Sequence, residues 1–211
     1  MSCNTSENRM FNTSAINAGI GDPLSFTRSR SKQVGLISIY AALVLVCSYL
    51  LAYIPNVEVT TCLLFVAGYC FGTKHGCLVA FVVSVIFCYF NPFGPSPIFM
   101  LAFQISFYTL CGFLGGILFH FKHEKKFQLT LKTSLQLGIL GLFLTIYFDV
   151  VITIVMNLPY FGLNWTAIWT SWLFGSVFSI IHYISNTLIF AFVLPVITNS
   201  ILTHYGFQFR G

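Results

Sequence analysis

The chain has 211 residues, of which 57% are hydrophobic and 7% are charged, and its mean hydropathy is +0.86. Soluble domains carry about 25% charged residues, so this composition excludes a soluble globular domain and indicates an all-α membrane protein. The net charge of +5 follows from where the basic residues lie relative to the bilayer, and we expect no nucleic-acid partner.

The seven cysteines form no CxxC pair and have no histidine partner at zinc-site spacing. Six of them fall inside apolar runs, where cysteine behaves as a small hydrophobic residue. We therefore expect neither a metal site nor a cofactor.

Six apolar segments are predicted to form a six-helix transmembrane domain over residues 34–202, preceded by a flexible cytoplasmic tail, 1–33, and followed by a short one, 203–211. The polar first segment lacks the apolar run of a signal peptide. The predicted crossings are 34–54, 59–73, 76–90, 98–119, 135–156 and 168–202. The second has only 15 residues, which cover roughly 22 Å and are short for a hydrocarbon core of about 30 Å.

The last apolar segment, 168–202, is long for one helix. We interpret it as one crossing that is kinked near Pro195, because proline lacks the backbone N–H that would continue the helical ladder. A seventh crossing, with a break at Ser185 and Asn186, is the alternative.

Basic residues predict the orientation. With six crossings, all ten Lys and Arg residues fall in the tails or in connectors on one side of the membrane. The positive-inside rule then places both termini in the cytoplasm. The connectors 55–57, 91–97 and 157–165 are predicted to lie outside, and the prolines and glycine of 91–97 make a helix–helix corner.

Small residues recur every four positions at Gly68, Gly72 and Gly76, and again at Gly112 and Gly116. In lipid such spacing lets helix backbones approach closely, so these glycines predict helix–helix contacts. Ser38 and Ala42 share the spacing in the first helix, where an exposed ridge could instead dock another membrane protein.

Polar and aromatic residues gather at the predicted outer face, and we predict that they form a substrate site. The candidates are Glu58, Asn91, Gln104, Asp149, Asn157, Tyr160, Asn164, Trp165 and Trp169. Simpler roles remain open for several of them: a charge at a helix start, a turn cap, or the aromatic belt of a membrane interface.

Asp149 is the candidate on which the site depends most. It lies eight residues before Asn157, roughly 12 Å deeper along a helix, and a carboxylate at that depth is costly. No Lys or Arg is predicted in the outer half, so we expect a ligand or a hydroxyl group to stabilise it.

His182 and Asn186 are one helical turn apart, and counting helical rise places them in the inner half, away from Asp149. We expect a structural interhelical hydrogen bond there, with a proton relay as the alternative. Contact between Asp149 and His182 would favour an enzyme or a proton relay. Convergence of Glu58, Asn91, Asp149 and Trp165 would favour ligand capture.

The order of these features resembles the substrate-binding S components of energy-coupling factor (ECF) vitamin transporters. The resemblance runs from about Val34 to Ile201. The features that carry it are Ile54-Pro55 at the first helix end, the Gly68–Gly76 spacing, the Pro/Gly corner before Gln104, the Gly112–Gly116 pair, and the segment from Asn186 to Pro195.

That resemblance implies a six-helix bundle that binds a vitamin-like micronutrient near its outer face. It also implies association with a transmembrane coupling (T) component and a pair of ATPases. Docking in the family uses small residues of the first helix, which correspond here to Ser38 and Ala42, although the family commonly has alanine where this chain has Ser38.

A substrate-capture subunit of an importer, with no catalytic residues, is therefore the leading prediction. The chain has no G-x-x-x-x-G-K-[ST] motif, so any pumping must be driven by partners or by an ion gradient. Two carboxylates without a predicted outer cation favour a flat neutral or cationic substrate. An intramembrane enzyme or proton-coupled carrier that uses Asp149 and His182, and a structural membrane protein, are the alternatives.

Overall fold

The computed structural model describes residues 23–122 and 126–205, and these residues contain helices and no strand. The chain divides into two compact units at Ser38, and α1 runs across that boundary. The helices are α1 (Pro23–Leu51), α2 (Thr60–Phe71), α3 (Thr73–Tyr89), α4 (Ile98–Phe121), α5 (Leu131–Phe161), α6 (Trp165–Leu188), a π-helical turn (Ile189–Val193) and α7 (Leu194–Tyr205).

The predicted all-helical membrane class is confirmed. Among the described residues, four apolar helical segments are long enough to cross a bilayer: Ser31–Leu51, Ile98–Phe121, Leu131–Phe161 and Trp165–His204. The two shorter apolar helices are α2 and α3, so the count of six crossings and the side on which the termini lie stay predictions. Residues 1–22 and 206–211, which make up most of the two predicted tails, lie outside the described residues.

Helix α2 is the core of the larger unit. All twelve of its residues are buried, and it packs against α3 and α4. Helix α1 packs on it through Tyr40, whose hydroxyl donates a hydrogen bond to the carbonyl oxygen of Leu63 at 2.7 Å. A short helix that is buried on every side suits its uniformly apolar sequence, which shows no amphipathic stripe.

Glycines allow α2, α3 and α4 to meet backbone against backbone. A Cβ atom on Gly68 would overlap the carbonyl oxygen of Gly112, and one on Gly112 would lie 2.7 Å from the carbonyl oxygen of Gly76. Gly72, which the spacing grouped with them, has a different role. It is the single residue between α2 and α3, and its φ of +84° is one that residues with a Cβ rarely adopt.

The last two helical segments follow one continuous path from Trp165 to Tyr205. A π-helical turn, Ile189–Val193, ends two residues before Pro195, where the sequence predicts a kink. Because proline has no backbone N–H, one carbonyl oxygen of the preceding turn has no donor at the usual α-helical spacing. A π-helical turn, with its wider hydrogen-bond spacing, accommodates this change. The alternative of a break at Ser185 and Asn186 is wrong, because α6 continues through both.

Helix α5 is longer than the predicted crossing 135–156. It extends to Phe161 and includes Pro159, so the connector to α6 shrinks from 157–165 to the three residues 162–164. A proline near the end of a helix removes few hydrogen bonds and does not terminate it at once. Asp149 therefore lies roughly 6 Å deeper, relative to the helix end, than a count from Asn157 indicates.

Candidate functional site

A cavity of about 360 Å³ lies at the end of the bundle that contains the 52–59 connector and the 91–97 corner. Cavities that bind small molecules typically enclose about 300–1,000 Å³, so its size suits a small ligand. Residues of α1 to α6 complete the wall. Its polar lining consists of Ser48, Asn56, Glu58, Thr60, Asn91, Gln104, Tyr108, Asp149 and His182.

Glu58 is held on one side of the cavity by two hydroxyl groups. Thr61 donates to Glu58 Oε1, and Tyr108 donates to Oε2 at 3.0 Å. Burial acts to raise the pKa of the Glu58 carboxyl, but hydrogen bonding and charge from His182, with the Thr61 and Tyr108 hydrogen bonds, outweigh burial and lower the pKa. Glu58 therefore presents a carboxylate to the cavity.

Asp149 and His182 meet across α5 and α6, which corrects the prediction that they lie at different depths. His182 Nδ1 is 3.0 Å from Asp149 Oδ1, and both side chains are almost completely buried. His182 Nε2 is 3.9 Å from Glu58 Oε1, so one imidazole lies between two carboxylates. The extra turn of α5, roughly 6 Å long, accounts for part of the error in depth.

Asn186 continues this polar cluster away from the cavity. Its Nδ2 lies 3.0 Å from His182 Nε2 and donates to Thr145 Oγ1 on α5 at 3.0 Å. The expected interhelical hydrogen bond is therefore present. The prediction that His182 and Asn186 lie away from Asp149 is wrong.

The second oxygen of the Asp149 carboxyl makes no hydrogen bond of ordinary geometry. Asp149 is only 8% exposed and its Oδ2 is buried, although the Tyr183 hydroxyl interacts with this carboxyl. The sequence predicts that a ligand or a hydroxyl group stabilises the carboxylate, and the structure adds His182 as the partner of Oδ1.

Asn91 and Gln104 line the cavity and also hold its rim in shape. Asn91 Oδ1 accepts a hydrogen bond from the Phe93 N–H at 3.0 Å, which is the turn-capping arrangement expected before a proline. Gln104 Oε1 accepts from Ser96 Oγ at 3.0 Å, which ties the 91–97 corner to α4. Each amide oxygen keeps a second lone pair.

The remaining predicted site residues lie elsewhere. Asn157 accepts from Ser171 Oγ at 3.1 Å and joins α5 to α6, while Asn164 caps α6 through the N–H groups of Thr166 and Ala167. Tyr160 is 73% exposed. None of the three lines the 360 Å³ cavity.

Trp165 and Trp169 belong to a second cavity, of about 200 Å³, between α5 and α6. Its wall is almost entirely apolar and also includes Trp172 and Ile154. Of the four residues whose convergence was expected for ligand capture, Glu58, Asn91 and Asp149 share the larger cavity, and Trp165 does not.

Ser38 and Ala42, the predicted docking residues, are exposed on α1. Tyr40 and Val44 of the same helix are buried. Within residues 23–122 and 126–205, no three His, Cys, Asp or Glu side chains are arranged to hold a metal ion. The expectation of no metal and no cofactor stays a prediction.

Sequence reasoning missed His182 and Tyr108 as residues of the cavity. Tyr108 follows Gln104 by four positions, which places both on one face of α4, and that spacing could have found it. His182 had only its neighbour Asn186 as a signal, because its partners come from α5 and from the 52–59 connector.

A comparison with known families gives one match. The model of the "ECF transporter, substrate-specific component" family matches residues 32–207, which is most of the chain and all of the cavity wall. No match was found among curated proteins or among solved structures. With a family match of this extent, the chain belongs to the substrate-specific components of ECF transporters.

Proposed function

We propose that this chain is the membrane-embedded capture subunit of an ECF-type importer. It binds a vitamin or related micronutrient at its extracellular face and passes it inward with a transmembrane coupling component and an ATPase pair. Both termini are then cytoplasmic, in the cell membrane. Family membership supports the class of function, and the cavity beside the 52–59 connector is the observation that supports capture.

The contacts of the cavity wall support binding rather than catalysis. The Tyr108 hydroxyl and the Gln104 amide oxygen are each tied to a neighbouring group, so their positions are set before a ligand arrives. Preorganised polar groups on rigid helices lower the entropy cost of binding. Among the described residues, the His182 imidazole is hydrogen-bonded to Asp149 and Asn186 and to no serine or cysteine side chain, which a serine or cysteine nucleophile would need.

For partner docking we propose the α1 face that contains Ser38 and Ala42. Small residues on a lipid-facing helix allow another helix to approach closely, and both residues are exposed on α1. The coupling component is the partner that this surface would bind.

A proton-coupled carrier is the second candidate, and the 3.0 Å contact between Asp149 and His182 favours it. Intramembrane pairs of acidic and histidine side chains are typical of proton relays. Such a carrier would move substrate without ATPase partners.

Uptake by cells distinguishes the two candidates. Cells that express the chain together with its coupling component and ATPases should accumulate labelled micronutrient, and an ATPase variant that cannot hydrolyse ATP should abolish accumulation. A protonophore should leave uptake unchanged while ATP is maintained. Uptake that survives loss of the ATPases and stops with the protonophore would replace the importer by the proton-coupled carrier.

A further inference from the structure

The lining of the 360 Å³ cavity contains more acidic than basic side chains. Its titratable lining residues are Glu58, Asp149, His182 and Tyr108, and it contains no Lys or Arg. With both carboxylates ionised, the cavity has one net negative charge if His182 is protonated and two if it is neutral. In either state the lining of the cavity has a net negative charge.

The Asp149 carboxyl is the less compensated of the two acidic groups. The side chain is buried, its Oδ2 has almost no accessible surface and makes no hydrogen bond of ordinary geometry, and the Tyr183 hydroxyl interacts with the same carboxyl. Buried negative charge is destabilising unless positive charge or hydrogen-bond donors compensate it. A positive charge in the cavity would lower that cost by Coulomb attraction, without direct contact with Oδ2.

The rest of the lining presents both acceptors and donors. Asn91 and Gln104 each have an amide oxygen with a second lone pair and an amide NH2 group, and Glu58 adds a carboxylate that is one quarter exposed. The rings of Phe87 and Phe148 supply negative faces, over which cations are favoured. An anionic ligand would meet repulsion from the carboxylates, with His182 already engaged by Asp149.

We propose that the ligand is a small organic cation with at least one N–H donor, bound at the carboxylate of Glu58 and attracted also by the charge of Asp149. The proposal rests on the proposed capture function and narrows its substrate class. Asp149 also positions His182, whereas Glu58, on the more exposed side, contacts the cation directly. Glu58 is therefore the residue that selects by charge.

Equilibrium dialysis of the purified full chain in lipid nanodiscs tests the proposal. The probes are charge-sorted small molecules of similar size: the cations thiamine and pyridoxamine, neutral pyridoxine, and the anions biotin and pantothenate. The variant Glu58→Gln keeps the shape of the side chain and removes its charge. Lys132→Gln, at the exposed start of α5, is the matched charge-removing control.

We expect one or more of the cations to bind, and Glu58→Gln to weaken that binding at least tenfold, with Lys132→Gln within twofold of the unmodified chain. Binding of only neutral or anionic probes would overturn the charge assignment and leave capture intact. Cation binding that Glu58→Gln does not alter would also overturn the charge assignment and leave capture intact. No binding of any probe by folded protein would overturn capture, and the charge assignment with it.

Discussion

At the scale of single residues, the pairing of His182 with Asp149 decides how the cavity is built. The sequence indicates that each is unusual in a membrane helix, but pairing them requires knowing how far α5 extends. Proline at position 159 is the usual sign of a helix end, and here the helix includes it and ends at Phe161. A four-residue error in one boundary adds roughly 6 Å to the predicted separation of two side chains that lie 3.0 Å apart.

His182→Ala should destabilise the protein by about 3 kcal/mol. Removal of one partner from a buried pair leaves Asp149 Oδ1 uncompensated, and the cost of such a change is typically about 3–5 kcal/mol. Denaturant unfolding in detergent measures the loss. His204→Ala, an exposed histidine of α7, is the matched control and should change stability by no more than about 0.5 kcal/mol. Equal effects of the two substitutions would contradict a structural role for the pair.

Substitutions at Asn164 test whether its side chain caps α6, as the structure indicates, or binds substrate, as the sequence predicts. Asn164→Ala removes the acceptor for the Thr166 and Ala167 N–H groups and should cost about 1 kcal/mol of stability. Asn164→Asp keeps an acceptor at the same place and should retain most of that stability. Thermal unfolding compares the two, and a loss of ligand affinity in the Asp variant at unchanged stability would return Asn164 to the binding site.

At the scale of helices, the sequence predicts that a helix is present better than it predicts where the helix begins and ends. The apolar runs of α2 to α6 are visible because lipid requires them, and the glycine spacing correctly indicates close contacts at Gly68, Gly76 and Gly112. The same spacing misleads at Gly72, where a one-residue turn interrupts the helix. A four-residue spacing places side chains on one helix face only where the helix is uninterrupted.

Gly68→Ala tests the backbone contact between α2 and α4. The added Cβ would overlap the Gly112 carbonyl oxygen, so backbone must move, and we expect a loss of about 3 kcal/mol or more. Gly175→Ala is the matched control on α6, where a Cβ meets nothing within 4 Å, and should be neutral or stabilising by up to about 1 kcal/mol. Similar folded yield and unfolding midpoint for both variants would contradict the close approach.

At the scale of the whole molecule, composition and charge identify a membrane protein, and the diffuse order of motifs is enough to indicate the family that the comparison then shows. The cavity is a different matter. Its wall brings together the 52–59 connector, the 91–97 corner and residues of α1 to α6. Residues that meet only through tertiary packing share no periodic pattern in the sequence. The sequence therefore predicts Trp165 and Trp169 as residues of the site and misses Tyr108.

The central claim is that this cavity, and not the tryptophan-lined one, holds the small-molecule ligand. Two substitutions on the same helix test it: Ile152→Trp fills the 360 Å³ cavity, and Ile154→Trp fills the 200 Å³ cavity. Bound ligand per folded chain, measured by equilibrium dialysis for the best ligand found, is the decisive quantity. We predict that Ile152→Trp abolishes binding and that Ile154→Trp preserves about one ligand per chain. Loss with Ile154→Trp and retention with Ile152→Trp would contradict the claim.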